Sequence, residues 1–192
     1  MKYYIDFDNT IFNTVLFYND LENLMIKYGI SKEDIYEYKE HHDIYDPIEL
    51  IELILDDSKE GLIKNDINNL FKNNIYLYED AINFLNKIKA NGDSPILFTY
   101  GSYHYQLLKI NGTIAYKYFD DVIITSRPKY LENLDYENSV FIDDNPLVIK
   151  KLCLNNAKKV IRIKRDNNKY SKINLDSLNV LEYNNMNEIL ID

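Results

Sequence analysis

Four short, almost wholly apolar runs recur after residue 90: PILFT at 95–99, DVIIT at 121–125, SVFID at 139–143 and KVIRI at 159–163. A strand that is apolar at successive positions buries both of its faces. A parallel sheet covered by helices on both sides meets that demand. A fifth run, residues 2–6, opens the chain. The pattern predicts an α/β fold, a doubly wound parallel sheet in which DVIIT, SVFID and KVIRI are interior strands. Helical spacing between the runs predicts helices over 79–90, stopped by Asn91-Gly92, and near 102–110, stopped by Asn111-Gly112. Two more are expected around 129–134 and 146–156.

The stretch from about Asn13 to Asn74 breaks this rhythm and contains no strand. Leu16, Leu21, Leu24 and Met25 follow helical spacing up to Gly29, and Ser31 with Asp34 has the spacing of a capping box that opens a second helix. Pro47 suits the first turn of a third helix carrying Ile48, Ile51, Leu53 and Leu55, and a fourth runs from about Lys59 to Lys72. The chain therefore divides into an α/β core, 1–13 and 75–192, and an all-helical insert, 14–74. It shows no internal repeat and no Gly/Ser-rich linker.

Charge and composition exclude several classes of partner. A formal net charge of −9 disfavours a nucleic-acid partner, whose affinity comes mainly from Lys and Arg displacing counterions. A small phosphorylated metabolite stays compatible if a cation is focused at its site. Cys153 is the single cysteine, so no intrachain disulfide forms and a reducing, cytoplasmic setting is expected. No apolar stretch is long enough to span a bilayer, so no membrane association is expected. The 18 tyrosines reflect a general bias, which lowers the weight of any single Tyr.

In such a sheet ligands bind beyond the carboxyl ends of the strands. There the polar residues concentrate: Asp6-Phe7-Asp8-Asn9-Thr10 after the first run, Thr99-Tyr100-Gly101-Ser102 after the second, and Asp143-Asp144-Asn145-Pro146 after the fourth. Arg127 and Lys129 lie between the third and fourth runs. Each cluster alone reads as a turn or a helix cap. Together they fall at one sheet edge, where converging carboxylates call for a hard divalent cation with oxygen ligands. A carboxylate nucleophile, a second carboxylate for proton transfer, a metal, a hydroxyl and a lysine make a phosphoryl-transfer site.

The same residues resemble the haloacid dehalogenase (HAD) superfamily. "DFDNTI" looks like its DxDx[TV] first motif, "ILFT" its second, Lys129 its third with Arg127 as the alternative cation, and "VFIDDNP" its acidic fourth. The likeness covers roughly 1–13 and 75–165, and it implies a Rossmann-like core with residues 14–74 as a helical cap domain. It further implies that Asp6 is the nucleophile forming an aspartyl-phosphate and that Asp8 is the acid and base. Thr99, with the backbone of Tyr100 and Gly101, would hold the phosphoryl group, and Lys129 would neutralise it. Magnesium would be held by Asp6, Asp8 and Asp144, with Asp143 behind them. Two positions depart from the family pattern. Asn9 stands where Gly is frequent, although Asn tolerates positive φ, and Val148 stands where a further acid is common. Asp8 favours a phosphomonoester hydrolase over a dehalogenase. A phosphomutase or phosphotransferase, and a non-catalytic phosphate-binding regulatory protein, are the alternatives. His41, His42 and Tyr45 of the insert could face the cleft; adjacent histidines on a helix do not share a face, so no metal site is expected there.

Overall fold

Strand β1 (Lys2–Ile5) leads into four consecutive helices, α1 (Thr14–Lys27), α2 (Lys32–His41), α3 (Pro47–Ile54) and α4 (Asp57–Leu70). The chain then alternates: α5 (Glu79–Ala90), β2 (Ser94–Tyr100), α6 (Tyr103–Gly112), β3 (Asp121–Thr125), β4 (Ser139–Asp143), α7 (Pro146–Leu154), β5 (Lys159–Ile163) and β6 (Leu181–Tyr183). The computed structural model describes residues 1–73, 75–166, 168–175 and 180–191. The expected end of the insert at residue 74 lies outside them, as do 167, 176–179 and 192 of the expected core.

The strands form one all-parallel sheet in the order β3-β2-β1-β4-β5-β6. The apolar runs are continuous because both faces are covered. Tyr3 and Ile5 of β1 point to the face that carries Leu97, Val140, Ile142 and Ile161 beneath α5 and α6. Tyr4 points to the other, with Phe98 and Phe141 against Ile149 and Leu152 of α7.

Local signals set the helix boundaries. Ser31 and Asp34 form the reciprocal capping box, and Asp46 caps α3 with Pro47 in its first turn. The four helices of the insert share one apolar cluster with the sheet. Phe17 of α1, fully buried, stacks on Phe71 at 5.0 Å and meets the edge of Tyr76 at 5.1 Å. Among the described residues no helix is long and apolar enough to cross a membrane.

Two expectations need correction, and one strand went unforeseen. DVIIT, β3, lies at the sheet edge rather than inside, because burial of a strand's faces does not dictate whether its lateral hydrogen bonds are paired. Residues 129–134 form one 3-10 turn, Lys129–Leu131, since Pro128 and Glu132 on either side are extended. The sixth strand, Leu181–Tyr183, has three residues and no apolar run; pairing with Ile161–Ile163 creates it.

Gly112 also acts differently from a helix terminator. Helix α6 runs through it, and the left-handed residue is Ile114, φ 53°. A Cβ at Gly112 would lie 2.4 Å from Cδ2 of Phe71, a ring already held by Phe17. Gly112→Ala is therefore expected to destabilise the protein by about 1–3 kcal/mol through overpacking, seen as a lower midpoint in thermal denaturation. An unchanged midpoint would mean that Phe71 yields without cost.

Candidate active site

Chain order places the site. From β1 the chain builds β2 and β3 on one side, then crosses to β4 on the other, so a crevice opens at the carboxyl ends of β1 and β4. Asp6 directly follows β1, and its amide donates to the Ile142 carbonyl at 2.9 Å, which sets Asp6 beside Asp143 at the end of β4. The loop after Asp6 folds back on itself: the Phe7 carbonyl accepts from Ile11 at 3.1 Å and Phe12 at 2.9 Å, and Asn9 adopts φ 57°. Asparagine tolerates that left-handed conformation, as its place in the motif requires.

Lys129 is the counter-charge of this cluster. Its ammonium, 5% exposed, donates to Asp6 and, at 2.7 Å, to Asp143. Burial alone would lower its pKa, but Asp143 and Asp6 raise it further than burial lowers it. The Thr10 hydroxyl donates to the other Asp6 oxygen at 3.1 Å, and the Asn145 amide to Asp143 at 2.9 Å. Arg127 faces outward and pairs with Glu132 at 3.0 Å, so of the two candidate cations only Lys129 reaches Asp6.

Asp6, Asp143 and Asp144 are all buried, with one oxygen of each within 4.8 Å of the others. Burial pushes Asp6 up to about 7, aided by Asp143 and Asp8 and opposed by Lys129. Burial, with Asp6 and Asp143, pushes Asp144 up to about 9. Among the described residues the Lys129 ammonium pairs with two of these three buried carboxylates. This oxygen-only donor set, short of positive charge, fits a hard divalent cation such as magnesium.

Asp8 has a separate partner set. Lys109, 1% exposed on α6, donates to one of its oxygens at 2.6 Å and Thr14 to the same oxygen at 2.7 Å, while Gln106 donates to the other at 2.8 Å. Burial pulls the Asp8 carboxyl upward, yet Lys109 and these hydrogen bonds hold it below the usual carboxylate range. Gly101 makes room for this arrangement, because a Cβ there would lie 2.7 Å from the Gln106 amide nitrogen. The pattern did not disclose Lys109 and Gln106 as site residues. A usable signal was present: both fall with Tyr105 and Ile110 on the buried stripe of α6, where polar side chains need a reason.

Asp8 and Tyr100 stand in the wall between two cavities. The larger, about 410 Å³, holds Asp6, Lys129, Asp143 and Asp144. The smaller, about 190 Å³, lies between Tyr18, Asp43 and Tyr45 of the insert and Gly101, Tyr105 and Lys109 of the core. Burial raises the Tyr18, Tyr45 and Tyr105 hydroxyls, so these stay protonated near neutral pH. Thr99 is fully buried, and its hydroxyl has no partner among the described residues. The Gly101 amide donates to the Thr125 carbonyl at 3.0 Å and so is not a free donor in the crevice. His41 and His42 turn back to carbonyls of their own helix, at 2.7 and 2.8 Å, away from both cavities; only Tyr45 of that trio lines one.

No protein-family model and no curated protein matches the sequence. Solved structures do match. A haloacid dehalogenase-like hydrolase from Burkholderia xenovorans superposes with a TM-score of 0.74 at 16% identity, covering 97% of this chain and 95% of that one. A HAD phosphatase from Thermococcus onnurineus gives 0.66 at 21%, covering 97% and 94%. The HAD-hydrolase YfnB from Bacillus subtilis, bound to magnesium, gives 0.55 at 14%, covering 97% and 95%. The chain has the fold of the HAD hydrolases.

Removing the buried counter-charge should be costly. Lys129→Met is expected to destabilise the protein by about 3–5 kcal/mol, the usual cost of leaving a buried charge unpaired, whereas Arg127→Ala should leave stability near wild type. Denaturant titration of the two variants would check this, and the reverse order would overturn the placement of the cation.

Proposed function

We propose that the protein is a magnesium-dependent phosphatase that hydrolyses a small phosphomonoester through an aspartyl-phosphate on Asp6. The observation that carries this reading is the position of Asp8. It lies two residues from Asp6, has its own buried cation in Lys109, and stands in the wall shared by the two cavities. Displacement of halide by a carboxylate needs no proton carrier there. Cleavage of a phosphate ester does.

In the first half-reaction an Asp6 oxygen attacks phosphorus and the bond to the leaving oxygen breaks; Asp8, ionised in the free protein, takes up a proton when the negatively charged substrate enters beside it and gives that proton to the leaving oxygen. In the second, ionised Asp8 takes a proton from water as the water oxygen attacks phosphorus, releasing inorganic phosphate and the Asp6 carboxylate. Lys129 offsets the charge of Asp6 and of the transferring group, and the unpartnered Thr99 hydroxyl supplies a hydrogen bond to it. Asp6, the Asp8 carbonyl and Asp144 would hold magnesium, which supplies positive charge against the phosphoryl oxygens. Asp143, with both oxygens engaged by Lys129 and Asn145, orients the cluster from behind. The larger cavity takes the phosphoryl group. The smaller takes the leaving alcohol, with residues 14–74 as the cap over it.

Asp6→Asn should abolish release of inorganic phosphate from a panel of phosphorylated metabolites while the fold survives, because an amide is not a nucleophile here. Retained turnover would remove Asp6 from that role. Asp8→Asn should slow turnover by about 10²- to 10⁴-fold, and unchanged kinetics would exclude it as acid and base. Chelation should stop the wild-type reaction and added magnesium restore it; activity that survives chelation would sink the metal assignment. A product in which the phosphate reappears on a second hydroxyl, with none released, would assign a phosphotransferase instead.

A further inference from the structure

Val148 leaves the fourth acidic cluster without the acid that would steady Asp144, and it lines the larger cavity as a plain apolar side chain. Another residue, distant in sequence, reaches Asp144. Asn168 lies on the connection after β5, is 6% exposed, and donates through Nδ2 to Oδ2 of Asp144. Its amide orientation is fixed by chemistry. Oδ1 accepts from the Tyr170 backbone amide at 3.0 Å, so the end turned toward Asp144 is the NH₂ group.

The connection that carries Asn168 is itself anchored to the metal-binding strand end. Arg162 of β5, fully buried, donates through Nε to the Asp144 carbonyl at 3.3 Å and through Nη1 to the Ile173 carbonyl at 2.6 Å. Its Nη2 donates to the Tyr170 carbonyl, and Glu182 of β6 balances its charge at 2.7 Å. One guanidinium therefore ties the backbone of Asp144 to Tyr170 and Ile173. The planar fork suits this task because its donors leave at fixed angles.

We infer that Asn168 is the positioning residue of the divalent-cation site, acting through Asp144 in place of the missing acid. The inference rests on the metal site proposed above. Asn168 engages one Asp144 oxygen and leaves the other for a cation. As a neutral amide, it does so without adding a fourth negative charge to Asp6, Asp143 and Asp144. A carboxylate at the same place would add that charge and bind the cation more tightly.

The test is direct binding of Mn²⁺, read from the loss of the free-ion electron paramagnetic resonance signal and displaced by Mg²⁺, on the full chain and two variants. Asn168→Ala should bind about 10- to 100-fold more weakly, the usual effect of removing a hydrogen-bond partner behind a metal ligand. Asn168→Asp should bind about tenfold more tightly or better, because affinity rises with ligand charge. A residue that merely tied down its loop would not move the two variants in opposite directions. Wild-type binding with both variants unchanged, or both shifted the same way, overturns the inference and leaves the metal site intact. If Asn168→Ala does not fold, Asn168→Asp decides alone, and equal or weaker binding overturns it. A folded wild type that binds neither ion sinks the metal site and this inference with it.

Discussion

The buried ammonium of Lys129, held between Asp6 and Asp143, is the contact on which the geometry of the crevice depends. Isolated charges in a protein interior are costly, and each of these three is tolerable only because the others are adjacent. That mutual dependence fixes the ends of β1 and β4 relative to one another more tightly than strand pairing alone would. It also leaves the cluster short of positive charge, because Asp6, Asp143 and Asp144 together outnumber the one ammonium. Burial, with repulsion between the carboxylates, raises Asp6 and Asp144, and the deficit makes the place suitable for a divalent cation.

A second ion pair, half-buried Asp8 with buried Lys109, sits one turn of loop away and answers a different need. Asp8 joins insert and core, because its partners come from the first residue of α1, Thr14, and from α6. The insert and the core also meet where Ser102 donates its hydroxyl to Asp46, the N-cap of α3. Thr14 and Ser102 thus tie the insert to the lining of the smaller cavity. On the proposed mechanism, the seating of the insert and the alignment of Asp8 are linked through the Thr14 hydroxyl.

Much of this was legible in the sequence for a reason that can be named residue by residue. Asp6, Asp8, Asp143 and Asp144 are adjacent to strands whose apolar runs announce where they end, so the crevice could be located before any contact was known. Lys129 and Arg127 were both candidate cations in the sequence, and only the Lys129 ammonium reaches Asp6. The helix predicted to start there did not form, because the inward pull on Lys129 and the extended residues at 128 and 132 leave room for one turn only. Asn168 escaped because it belongs to no local pattern, and Lys109 and Gln106 because the buried stripe of α6 marks them without naming a partner. Each becomes a site residue only through a partner roughly 24 to 101 positions away.

Local spacing therefore determined the elements and the polar strand ends, since periodicity and capping act over a few residues and need no partner elsewhere. Sheet order, the edge position of β3, the pairing that makes β6, and the choice of which cation and which amide reach each carboxylate were decided by tertiary structure. These depend on which groups are brought together out of water, and desolvation makes a buried charge accept a particular neighbour rather than a residue type in general.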